Sequence, residues 1–339
     1  MFKAQMEKIK EEKMKKLIVI PVSVILLVLT VVAGSVAMRI IYHLLPIEVD
    51  WKNKWSIGIY EGSSPFHFHA PSDIKNPVIS ASDVTDVKAF AVADPFLVRN
   101  NGCWYMFFEV MNTCTDQGDI ALATSEDGKK WKYEKVVLDE EYHLSYPYVF
   151  NHEGNYYMIP ESGKANKLNL YRAVNFPFEW ERVSTLLEGS FGDHGIVQHQ
   201  GCWYLFANPN PYQNNKLNLY YSDDLFGKFI ELPMSPVVSD NASMARPGGR
   251  MISWDGGIIR YTQNCKKEYG KALNAVKITE LTKEKYAEEK IKSNPILKSG
   301  KNEWNRHGMH HLEAVQIDDQ KWIGFVDGYT RRCIINYDY

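Results

Sequence analysis

Two stretches, DPFLVRNNGCWYMFFE at Asp94–Glu109 and YPYVFNHEGNYYMIPE at Tyr146–Glu161, decide the fold because they are one pattern written twice. At an offset of 52 residues they share Pro95/Pro147, Gly102/Gly154, Tyr105/Tyr157, Met106/Met158 and Glu109/Glu161. A third copy, DHGIVQHQGCWYLFAN, runs from Asp193, and weaker copies start at Arg246 and His310. Each reads as a strand, a turn and a second strand. The segments that follow, IALATSEDGKKW, LNLYRAVNFPFEW and LNLYYSDDLFGKF, add a third strand, a polar turn and an aromatic that opens a fourth.

Four antiparallel strands recurring in this way predict a β-propeller blade. Five blades use the chain from 55 to 339. A unit this small cannot bury both faces alone, so blades must pack radially. Too little chain remains after Asp327 for two outer strands, and WSIGIYEG at Trp55–Gly62 is expected to complete the last blade. A β-sandwich, the competing fold, leaves the fixed spacing unexplained.

Composition agrees. Aromatic content is 13%, with 20 Tyr and 9 Trp, residues suited to strands and to stacking on sugars. A net charge of −2 gives no reason to expect nucleic acid as a partner. The five cysteines show no metal-ligand spacing, and Cys103 and Cys202 recur at one position of the repeat as small buried residues.

The N-terminus reads differently. Residues 1–16 hold six Lys against three Glu, and the 22 residues from Leu17 to Met38 carry no charge. That length suits a bilayer crossing. The charge bias puts the tail in the cytoplasm and the rest outside, with 39–54 as a linker. A cleaved signal peptide, with small residues before Met38, is the alternative, but its apolar region is normally shorter.

In each antiparallel hairpin the start of the first strand lies beside the end of the second. Asp94 is thus expected beside Glu109, Tyr146 beside Glu161, Asp193 beside Asn208, Arg246 beside Gln263, and His310 and His311 beside Asp327. If first strands line the axis, these ends meet at one mouth together with His194, Arg250 and Glu313. The shared letters are scaffold, and the differing first letters are site. His310 and His311 are also where a central cation could bind. Gly248–Gly249 reads as a backbone requirement, because no phosphate-loop lysine follows.

ADPFLVRNNGCWYMFF resembles the first blade of the five-bladed glycosidase propellers of glycoside hydrolase families 43 and 32. QGDIALATSEDG, YPYVF with YMIPES, LYRAVNFPFEW, ARPGGR, Tyr269–Gly270 and MHHLE resemble more closely the N-terminal propeller of plant glucosamine inositolphosphorylceramide transferases and their bacterial relatives. The resemblance runs from about Trp55 to Gly328. The family 43 pattern implies Asp94 as base. Its second-blade carboxylate falls on Tyr148 and its third-blade glutamate on Asp193, two departures from that pattern.

The expectation is a membrane-anchored, extracytoplasmic propeller that hydrolyses or transfers a glycosyl unit of a carbohydrate or glycolipid. Asp94 is the base or nucleophile, and Asp193, or failing that Glu161, the acid. Glu109, Tyr146, Tyr148, His194, Arg246, Arg250, Gln263, His310, His311, Glu313 and Asp327 form the substrate-binding set. The alternative is a non-catalytic glycan-binding module serving a separate glycosyltransferase. A protein-interaction propeller has no recurring surface motif in its favour.

Overall fold

The computed structural model describes residues 29–36 and 47–337. Two compact units divide the chain, one of residues 53–332 and one of 1–52 with 333–339. In the smaller unit, the described residues are a helical segment at 29–36 and the ends of two strands. The uncharged stretch 17–38 lies largely outside the described residues. Among those described, no helix is long and apolar enough to cross a membrane.

The larger unit is a five-bladed propeller, one sheet per blade. Strands β1 (Ile47–Ser64) and β2 (His67–His69) come first in the chain but belong to the last blade. Blade 1 holds β3 (Ala89–Asn100), β4 (Cys103–Asn112), β5 (Gln117–Ser125) and β6 (Lys132–Leu138). Blade 2 holds β7 (Ser145–His152), β8 (Asn155–Glu161), β9 (Lys167–Asn175) and β10 (Glu179–Glu188). Blade 3 follows with β11 (His194–His199), β12 (Cys202–Ala207), β13 (Asn218–Ser222) and β14 (Ile230–Glu231). Blade 4 has β15 (Ile252–Trp254), β16 (Gly257–Asn264), β17 (Ala272–Leu281), β18 (Tyr286–Lys290) and a short β19 (Leu297–Lys298). Blade 5 pairs β20 (Leu312–Gln316) with β21 (Trp322–Tyr337), then takes β1 and β2 as its outer strands. The expected closure by Trp55–Gly62 is therefore the one seen, with β1 already extended from Ile47.

The repeated glycine has a local cause. Asn101–Gly102, Glu153–Gly154, Gln200–Gly201 and Asp255–Gly256 all have positive φ at both residues. That is the two-residue hairpin turn whose twist matches its strands, and glycine meets its second position without steric cost.

Period-two alternation then hands each strand's faces to different neighbours. Phe107 joins a core with blades 2 and 3, while Met106 and Phe108 join one with blade 5. Leu205 faces blade 2, and Tyr204 and Phe206 face blade 4. A further core joins blades 4 and 5 through Tyr261, Leu273, Leu312 and Val326. Apolar cores thus fill every interface around the ring. Each buried Phe or Leu contributes about 1.5–3 kcal/mol of transfer free energy, so blades hold one another rather than standing alone. The described cysteines are all free thiols, and Cys103 and Cys202 are half-buried rather than buried as their place in the repeat suggested.

Candidate functional site

The mouth is built on two matching bends. In blade 1 the pairing of β3 with β4 slips between Ala93 and Phe96, and in blade 2 that of β7 with β8 slips between Ser145 and Tyr148. Inside these bulges Asp94 has φ 55° and Tyr146 φ 48°, each directly before a proline. Left-handed backbone at a non-glycine residue costs about 1–3 kcal/mol and is kept only where its surroundings enforce it.

Tyr146 is enforced by blade 4. Its hydroxyl accepts the Gly249 N–H at 2.6 Å and lies 3.3 Å from the Gly249 carbonyl, to which it donates. Gly249 has no room for a side chain, since a Cβ there would meet the Leu312 carbonyl oxygen at 2.0 Å. Gly248–Gly249 is thus the expected backbone requirement.

Asp94 is held by its backbone instead. Its N–H donates to Asp327 Oδ2 at 3.1 Å, and Asp327 Oδ1 accepts the N–H groups of His310 and His311 at 3.2 and 3.0 Å. His310 Nδ1 lies 2.9 Å from the same carboxylate. Burial works against the charge on Asp327, but His310, His311 and these hydrogen bonds outweigh it and hold its pKa below the ordinary value.

His311 Nε2 lies 2.9 Å from the Pro95 carbonyl, which can only accept, so Nε2 carries the proton. Nδ1 is then a bare lone pair, 3.6 Å from Asp94 Oδ1. Neither atom has a hydrogen-bond partner. Burial keeps His311 neutral, with its pKa down at about 4. Burial, then the charges of Asp193, Asp327, Glu109 and Glu161, pushes Asp94 well above the carboxylate range. Asp94 is accordingly a carboxyl that holds its proton among neighbours that cannot share the charge. Asp94, His310 and Asp327 also offer ligand atoms within 4.8 Å of one another, and a cation there would replace that proton.

Across the mouth Arg246 gathers two carboxyls. Its Nε donates to Asp193 Oδ2 at 2.6 Å and its Nη2 to Glu161 Oε2 at 3.2 Å. Its Nη1 donates to the Pro211 carbonyl at 2.9 Å and to Asn214 Oδ1 at 3.2 Å. Gln263 Nε2 also donates to Asp193. Burial pushes Asp193 up, but Arg246 and a hydrogen bond from Glu161 bring it down to about 2. Burial and the Asp193 charge raise Glu161 far above its ordinary value, against Arg246. One proton therefore sits on Glu161, facing an ionised Asp193. Glu109, beside Ala93 on β4, is raised to about 8, by burial first and then by Asp193 and Asp327. His143 Nε2 lies 3.4 Å from it and is kept neutral by burial, its pKa down at about 4.

The remaining expected residues brace the ring. Arg250 donates to Glu313 at 2.7 Å and to the Leu97 and Val149 carbonyls at 3.1 and 2.7 Å, with the Tyr148 ring beneath it. Tyr148 donates to the Ile196 carbonyl at 2.9 Å. His194 is buried beside the Tyr146 and Tyr148 rings with neither ring nitrogen bonded.

Two aromatics at the mouth lie outside the sequence-derived set. Trp55 stacks on His310 with ring centroids 4.0 Å apart and planes 24° apart. Tyr269, 37% exposed, stands edge-on to His310 and carries the Arg246 guanidinium over its ring at 5.2 Å. Gly270 admits this stack, because a Cβ would meet Trp55 and His310 at under 3 Å. The Tyr269–Gly270 pair was the signal available in the sequence.

Residues 47–329 match the family model described as glucosamine inositolphosphorylceramide transferase 1, N-terminal. The Arabidopsis thaliana transferase of that name is 36% identical over 300 residues, covering 82% of this chain and 39% of the relative. The Oryza sativa japonica protein is 34% identical over 316 residues, covering 85% of this chain and 42% of the relative. The chain thus spans about two fifths of the length of these relatives. Among solved structures, the catalytic domain of a Coprinopsis cinerea family 62 α-L-arabinofuranosidase superposes with a TM-score of 0.54 at 13% identity, covering 81% of this chain and 97% of that one. A putative glycoside hydrolase from Parabacteroides distasonis reaches 0.57 at 11% identity, covering 78% and 97%. At such identities the structures share the fold.

Proposed function

We propose a function from one premise: the chain belongs to the family of the N-terminal region of glucosamine inositolphosphorylceramide transferase 1. The propeller acts on a carbohydrate or glycolipid, hydrolysing or transferring a glycosyl unit at its central mouth. One observation carries this reading. Of the carboxyls gathered there, Asp94 and Glu313 each have a buried oxygen without a hydrogen-bond partner, and of the two only Asp94 sits on a left-handed backbone beside an imidazole lone pair.

The chemistry follows from how neighbours divide the protons. Glu161 gives its proton to the departing oxygen as the glycosidic C–O bond breaks, and Asp193, ionised, holds that proton in position beforehand. Asp94 takes the opposite role. It either accepts a proton from the incoming water or sugar hydroxyl, or attacks the anomeric carbon itself. To do so it must first give up its own proton to solvent or to the incoming ligand, because burial holds His311 neutral, with a pKa of about 4. Trp55 and Tyr269 supply stacking faces for the sugar ring. Glu109, His310, Asp327 and Gln263 complete the polar lining.

A second reading has an observation of its own. Arg246 engages both Glu161 and Asp193, which suits a site that holds a glycan for a separate glycosyltransferase without cleaving it. For location, the uncharged 17–38 stretch and the lysine-rich residues before it support a single-pass anchor, N-terminus cytoplasmic and propeller extracytoplasmic.

The test is a glycan and glycolipid panel read for both binding and released sugar, using the unmodified protein, Asp94→Asn and Glu161→Gln. Release that both variants lose while staying folded supports the enzyme. Binding without release by the unmodified protein, on a ligand both variants weaken, would replace it with the holding module.

A further inference from the structure

Near the mouth, β1 and β21 present two faces. On one, Trp55 and Tyr329 join the stack on His310. Alternation along a strand puts Lys54 and Ser56, and likewise Thr330 and Arg332, on the other. A cavity of about 400 Å³ opens there, lined by these four together with Glu303 and Trp304 among others. That volume lies within the range of small-molecule sites, about 300–1,000 Å³.

The polar groups of this cavity are one-sided. Its single lining carboxylate, Glu303, already accepts from Arg332 Nη2 at 2.5 Å. Lys54 is half-buried, yet its ammonium makes no ion pair or hydrogen bond among the described residues. The Trp304 indole N–H is buried with no acceptor. Ser56 and Thr330 are largely buried as well, and their hydroxyls bond to nothing in the protein. Unpartnered donors and one uncompensated cation therefore line a concave wall whose single carboxylate is already paired with Arg332. Buried donors keep a partner in nearly all proteins, so the missing partner points to an oxygen-rich anion.

We propose that this cavity binds a phosphate ester of a sugar or polyol. The phosphate oxygens accept from Lys54 and the Trp304 indole, and the ligand's hydroxyls pair with Ser56 and Thr330. The assignment uses none of the carboxyls of the central mouth, so it stands or falls separately from the proposed glycosyl chemistry.

Calorimetric titration of the 339-residue chain with glucose 1-phosphate and with glucose tests it, beside flotation with phosphatidylinositol or phosphatidylcholine vesicles. The expected result is binding of glucose 1-phosphate, of phosphatidylinositol vesicles, or of both. The pattern tells a free ester from a lipid headgroup. Lys54→Gln weakens binding about tenfold or more, the scale of one charge-assisted hydrogen bond. Trp304→Phe keeps the bulk, removes the N–H and weakens binding less, and Asp94→Asn leaves it unchanged. Three results would overturn the site: no binding of either phosphate probe, glucose binding that Lys54→Gln weakens as much as it weakens binding of the phosphate, or affinity for the phosphate that Lys54→Gln leaves intact.

Discussion

Asp94 and Tyr146 occupy the same place in blades 1 and 2, each in a left-handed bulge ahead of a proline. Their surroundings differ. The Tyr146 side chain is fastened to both backbone groups of Gly249, whereas the Asp94 side chain has one oxygen bonded to nothing. In blade 2 the bend spends its strain on closing the ring, and in blade 1 it aims a carboxyl into the mouth. Blade 3 has Asp193 at the matching position without the left-handed bend, and there the carboxylate is ionised and clamped by Arg246. A repeat can thus keep its backbone and change its task with a single side chain.

The largest expected effect falls on blade 1. Asp94→Asn lowers sugar release about 100- to 10,000-fold, the usual worth of a general acid or base. Its stability changes by less than about 1 kcal/mol, since asparagine tolerates left-handed backbone and replaces a carboxyl that is already neutral. Thermal melts beside rate measurements check both halves. Arg246→Met comes next in size. It leaves Asp193 buried and unpaired, and denaturant titration is expected to show a loss of about 3–5 kcal/mol.

Tyr146→Phe removes the Gly249 bonds and costs about 1–3 kcal/mol. Sugar release per folded molecule stays near the unmodified rate, which sharpens the contrast with Asp94. Glu109 adds a pH dependence whose sign is fixed. Its pKa rises from an ordinary 4.5 to about 8 on folding, so between those values the folded chain binds more protons than the unfolded one. The stability it contributes is complete below about pH 4.5 and is lost as pH climbs through 8. Melts from pH 5 to 8 should therefore fall less steeply for Glu109→Gln. The smallest effect lies far from the mouth: Glu153→Asn makes the blade 2 turn Asn-Gly and should stabilise by about 0.5 kcal/mol in thermal melts.

Much of the ring could be read in the chain because its devices are local. The turn glycines Gly102, Gly154, Gly201 and Gly256 mark the first hairpin of each of the first four blades, and alternating aromatics mark the faces. Closure by Trp55–Gly62 followed from counting strands. The convergence of Asp94, Glu161, Asp193 and Asp327 followed from antiparallel pairing once first strands were placed along the axis. Partner choice did not, because Arg246 reaches Glu161 across two blades and a hairpin register says nothing about side-chain reach. The bends at Asp94 and Tyr146 were hidden as well, since neither residue is a glycine that would announce positive φ. Trp55 and Tyr269 escaped because one sits on the closing strand and the other in the turn between β16 and β17, outside the repeat positions that were compared. The stretch 17–38 lies largely outside the described residues, and its role as an anchor stands as a proposal.

The claim that one bend serves two tasks is tested most directly by the rate of sugar release from a turned-over glycan, measured side by side for Asp94→Asn and Tyr146→Phe at equal folded concentration. The account predicts that Asp94→Asn loses release at an unchanged melting temperature, while Tyr146→Phe melts earlier and still turns over. Release by Asp94→Asn at the unmodified rate would contradict it.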